Sequence, residues 1–67
     1  MKTPRGLEVR VFPDADGCVG AHVPAHPGCR TQAPDWRRLE ARVRAALSLW
    51  RADAATVPLA FVAVEAP

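Results

Sequence analysis

The sequence predicts an α+β domain in which one helix packs on a face of an antiparallel sheet, in the order β-β-β-α-β. Three patterns carry that expectation. Leu7, Val9 and Val11 alternate with Glu8, Arg10 and Phe12, which is the period of a half-buried strand. Trp36, Leu39, Val43, Ala46, Leu47 and Trp50 recur at three- and four-residue intervals and fall within about a 100° arc of a helical wheel, one buried stripe. Turn-forming residues break the chain between these two patterns, at positions 13–17 and again at 24–28.

Taken in order, the first strand covers residues 7–12 and follows a lead-in of residues 1–6 that is expected to be flexible. Pro13-Asp14-Ala15-Asp16-Gly17 reads as a hairpin turn, because Asp and Gly accept the tight backbone angles such a turn needs. A second strand is expected over residues 18–23, with Val19, Ala21 and Val23 on one face and Cys18, Gly20 and His22 on the other. Pro24 and Pro27 end it by removing backbone donors and fixing φ. Residues 29–32 form a short third strand. Asp35 stands at the N-cap position of the helix, which is expected to fade between Arg51 and Ala55 without a capping Gly. Both alternating sets of residues 57–65 are apolar, so a last strand covered on both faces is expected. Pro58 places it at a sheet edge or at a strand start.

Length and composition bound the rest. Sixty-seven residues make one small domain, residues 1–67, whose core is marginal, and self-association into a homodimer or higher homo-oligomer is the common remedy. Hydrophobic residues are 49% and charged residues 24%, which is globular composition. The net charge is only +2, although eight of the nine basic residues are arginine. The longest apolar run, residues 57–64, is far below the ~20 residues that span a bilayer. No apolar leader follows Met1, so a cytoplasmic protein is expected, and in a reducing compartment its two cysteines are free thiols.

The order of motifs resembles a known family. Asp14-Ala15-Asp16-Gly17, then Val23-Pro24-Ala25-His26-Pro27-Gly28-Cys29-Arg30-Thr31-Gln32, then a capped amphipathic helix, is similar to the core of HicB-like antitoxins. The resemblance covers residues 7–53 and is most specific where Pro24 precedes Pro27, Gly28 and Cys29. Ala33 stands where the family usually has Gly, and Pro34-Asp35 stands for an Asp-Thr pair; Asp35 can cap in place of Thr. Arg37 and Arg38 occupy a first turn that is commonly acidic in the family, facing the positive end of the helix dipole. The resemblance implies a stand-alone core without the DNA-binding appendix of longer relatives. It also implies a non-catalytic module that neutralises a small HicA-type ribonuclease toxin by protein contact.

Cys18, His22, His26 and Cys29 are zinc-ligand types, but Cys18 and His22 on one extended strand stand about 13 Å apart. No metal site and no cofactor are therefore expected. Cys29 reads as a small packed hydrophobe, and His22 and His26 as solvent-facing, where they could meet a partner. A Cys18–Cys29 disulfide is not expected, since antiparallel pairing sets Cys29 opposite residues 22–23. Asp14 and Asp16 lack the further ligands of a calcium loop. The single serine, Ser48, sits in the helix without a histidine, and no third group orients Cys29 with His26, so no enzyme is expected. Arg37, Arg44 and Arg51 form a row about 21 Å long on one flank of the helical stripe. Such a row could meet nucleic acid, which is the alternative function; the plainer reading is a solvated face with Glu40 paired to Arg44.

Overall fold

The computed structural model describes residues 6–64. It contains strands β1 (Leu7–Pro13), β2 (Val19–His22) and β3 (Arg30–Ala33), helix α1 (Trp36–Leu47) and strand β4 (Leu59–Ala63). The fold is α+β, with elements in the expected order. Most of the lead-in expected to be flexible, residues 1–5, lies outside the described residues, as does Glu65 of the expected last strand.

The first turn closes as its residues dictate. Asp14 accepts a hydrogen bond from the Ala15 N–H through its side chain, and Asp16 and Gly17 take left-handed φ of 59° and 77°. Those angles come readily to Gly and, among residues with a side chain, to Asp and Asn. Cys18 belongs to this turn and not to β2, since its N–H donates to the Ala15 carbonyl and its own carbonyl accepts from Asp14.

β1 pairs antiparallel with β2, and β2 with β3. The expected all-antiparallel sheet is corrected at its fourth member. β4 lies parallel to β1, with Leu7 opposite Leu59 and Val11 opposite Ala63, giving the order β3-β2-β1-β4. A helix between β3 and β4 makes this possible, because it carries the chain across the sheet and returns it in the same direction.

The core is the face formed by Val9, Val11, Ala21, Val23, Cys29 and Ala33, roofed by Leu39, Val43 and Leu47 and closed by Ala54 and Val57. Asp35 caps the helix by accepting from the Arg38 N–H at 3.0 Å, and the Arg38 side chain lies 3.7 Å from the same carboxylate. That contact offsets part of the dipole cost of a basic first turn.

Two expectations about the helix fail. It ends at Leu47, earlier than the period suggested, where the Leu49 and Trp50 N–H groups switch to the carbonyls three residues back, those of Ala46 and Leu47. The tryptophans do not point into the core: Trp36 is 54% and Trp50 47% exposed. The helix packs over β3 and β2, so Trp36, on its first turn, projects past its cover, and Trp50 lies beyond its end. β4 is likewise not covered on both faces; Phe61, Val62 and Val64 are all exposed. It is an edge strand, and Pro58 stands immediately before it.

Candidate functional site

The chain is most elaborately folded on itself at the proline corner between β2 and β3. The Val23 N–H donates to the Cys29 carbonyl at 3.1 Å, the His26 N–H to the Val23 carbonyl at 3.0 Å, and the Cys29 N–H to the His26 carbonyl at 2.8 Å. Pro24 and Pro27 occupy exposed positions in this corner, and Gly28 turns it with φ of 100°. Cys29, 3% exposed, anchors the corner to the core, and burial pushes its thiol pKa up.

Trp50 closes over the corner. Its ring centroid lies 6.0 Å from that of His26, with planes 31° apart. A Cβ on Gly28 would come within 3.4 Å of the same indole. His26 is thus half-buried under an aromatic ring, with its Nε2 enclosed and without a hydrogen-bond partner, and is not the solvent-facing side chain the sequence suggested. Leu49, beside Trp50, is 86% exposed.

His22 sits elsewhere, half-buried on the open face of the sheet. Its ring is 6.3 Å from Phe12, and the Phe12 ring itself lies against Gly20, where a Cβ would meet it at 2.5 Å. A shallow groove on this face is lined by Phe12, Asp14, Arg30, Thr31 and Gln32. The two histidines are therefore not one site. Cys18 and Cys29 are both free, and among the described residues no three His, Cys, Asp or Glu side chains group closely enough to hold a metal ion.

The arginine row is broken up by the fold. Arg37 is exposed on the first helical turn. Arg44 pairs with Glu40 at 3.1 Å, as its spacing suggested, and its other nitrogen donates to the carbonyls of Ala54 and Val57. Arg51 lies past the helix end and makes a two-pronged pair with Asp53 at 2.8 and 3.0 Å. The hydrogen bonds from Arg51 hold the Asp53 carboxyl below its ordinary value and raise the Arg51 guanidinium. Sequence reasoning placed both as surface charge. Nothing in a helical period reveals that a flanking arginine will clamp the chain that returns beneath it.

Among the described residues no helix is long and apolar enough to cross a membrane. No protein-family model, no curated protein and no solved structure matches the chain.

Proposed function

We propose that the chain is a cytoplasmic, non-catalytic binding module of the HicB antitoxin type, which blocks a small HicA-type ribonuclease toxin by protein contact and works as a homo-oligomer. The proline corner supports this reading most. Pro24, Pro27, Gly28 and Cys29, the residues that carry the resemblance, build a hydrogen-bonded corner against which the half-exposed Trp50 packs. An exposed aromatic side chain on a hydrogen-bonded base suits a protein partner, where buried aromatic anchors dominate affinity.

Charge bears on the choice between this reading and nucleic-acid binding. Glu40 and Asp53 neutralise Arg44 and Arg51 within the chain. That lowers the repulsion a basic toxin would meet and leaves fewer free cations for phosphates. Coexpression with a short basic ribonuclease encoded beside the gene tests the proposal. Growth rescue, co-purification and loss of both in Trp50→Ala are expected; a neighbour that stays toxic and unbound overturns it.

A further inference from the structure

The two free edges of the sheet are finished differently. On β3 the backbone groups that point outward belong to Arg30 and Gln32, because Val23 and Cys29 form a hydrogen-bonded pair and the antiparallel pattern alternates from there. The Gln32 carbonyl is taken by the Arg42 guanidinium at 3.4 Å, and Arg30 adds a charge. This edge carries the features by which natural sheets discourage further pairing.

β4 carries none of them. Residues 57–64 hold no charge, and after Pro58 no proline. The ladder to β1 fixes which groups are free. The Leu7 N–H donates to the Pro58 carbonyl at 2.8 Å, and the Val64 N–H to the Val11 carbonyl at 2.7 Å. In a parallel pair both groups of one residue point the same way and alternate along the strand. Pro58, Ala60, Val62 and Val64 therefore face β1, while the N–H and C=O of Leu59, Phe61 and Ala63 point outward, with no strand beyond them among the described residues.

We infer that this edge is the self-association surface, and that its occupant is β4 of a second copy, antiparallel, with Phe61 on the two-fold axis. In that register Phe61 faces Phe61, and Leu59 faces Ala63 of the other copy. All three are hydrogen-bonded positions, so every outward donor and acceptor is satisfied at once. A register displaced by one residue would pair outward groups with positions that face β1.

Side-chain chemistry agrees. Phe61 points to the helix side, where it lines a cavity of about 240 Å³ with Trp36, Leu39 and Glu40. The copy's own Phe61 and Trp36 would arrive there. Val62 and Val64, exposed at 38% and 40%, would add apolar surface on the opposite face. A core this small gains most from such an addition.

Sedimentation equilibrium of the full chain tests the inference. Wild type is expected to be dimeric at micromolar concentration. Ala63→Pro removes one outward N–H and no bond to β1, so it should be monomeric with an unchanged far-UV circular dichroism spectrum. Phe61→Lys, a side-chain change at an exposed position, should be monomeric as well. In a Cys18→Ser background, Phe61→Cys should cross-link to itself under mild oxidation, since facing Cα atoms lie within disulfide reach. Leu59→Cys should not, and should cross-link only when mixed with Ala63→Cys. A monomeric wild type, a dimer that survives both Ala63→Pro and Phe61→Lys, or self-linking of Leu59→Cys overturns the assignment. The inference rests on the homo-oligomer part of the proposed function, and a monomeric wild type would remove that part; none of these readouts involves a toxin, so toxin neutralisation is tested separately.

Discussion

The Arg44 guanidinium donates to the main-chain carbonyl of Val57 at 2.9 Å, across thirteen positions of sequence. With the Ala54 carbonyl at 3.1 Å on the same nitrogen, it ties the last turn of the helix to the segment that leads into β4. No regular element lies between Leu47 and Leu59, so this clamp and the buried Ala54 and Val57 are what seat the return.

Removing the clamp should therefore cost more than a surface arginine would. Arg44→Ala leaves two part-buried carbonyls without a donor, and a hydrogen bond to a charged group is worth about 1.5–3 kcal/mol. Urea denaturation should show a loss in that range, whereas Arg37→Ala, exposed on the first turn, should change stability by less than about 0.5 kcal/mol. Equal effects would mean the clamp contributes nothing.

Gly28 should be among the least replaceable residues. Its φ of 100° strains any side chain, and the added carbon would lie in van der Waals contact with Trp50 at 3.4 Å, so the cost comes from the backbone. Gly28→Ala is expected to cost more than about 1 kcal/mol and to shift Trp50 emission. At Gly17, also left-handed, a Cβ meets nothing within 4 Å, so Gly17→Ala should cost less and leave the fluorescence unmoved.

The two thiols should react at different rates. Cys18 is partly exposed and Cys29 buried, so a maleimide should modify Cys18 in the folded protein and Cys29 only on unfolding. The raised Cys29 pKa also sets a sign. Its folded value exceeds the unfolded one, so its contribution is complete below the unfolded value, about 8.5, and declines as pH rises through the folded value. Alkaline destabilisation should be smaller in Cys29→Ala, compared with its own neutral-pH stability.

Asp53 has the opposite sign. Its folded pKa is lowered by hydrogen bonds from Arg51, so the pair stabilises above the unfolded carboxyl value, about 3.9, and the benefit is lost as pH falls through the folded value. Because the pair is solvent-screened, Asp53→Asn should alter stability little at neutral pH, and the variant should show a shallower acid limb in a thermal melt.

Much of the fold was legible locally. The alternation of Leu7, Val9 and Val11 marks β1, whose inner face is buried. Asp35 caps where its position suggested, and Leu39, Val43 and Leu47 form the buried helical face. What failed depends on order across the sheet. A period shows which residues share a stripe and not how far the opposing layer extends, so Trp36 and Trp50 were placed inside. The parallel docking of β4 on β1 left no local mark, since an apolar run on both faces fits a covered strand as well as a bare edge. At the candidate site, the corner was visible in its prolines and glycine. Its lid was not, because Trp50 reaches His26 only after the helix has ended.

The strand that holds the sheet together also governs how the chain assembles. β1 occupies an interior place, yet one of its two neighbours, β4, is synthesised only after β2, β3 and the helix. The β1-β2-β3 ribbon can zip up from near-neighbour contacts, but its first member must wait, one flank bare, until the helix and β4 have also left the ribosome. Closing so wide a loop is entropically slow, so the nascent ribbon is the species that chaperones or stray strands would capture.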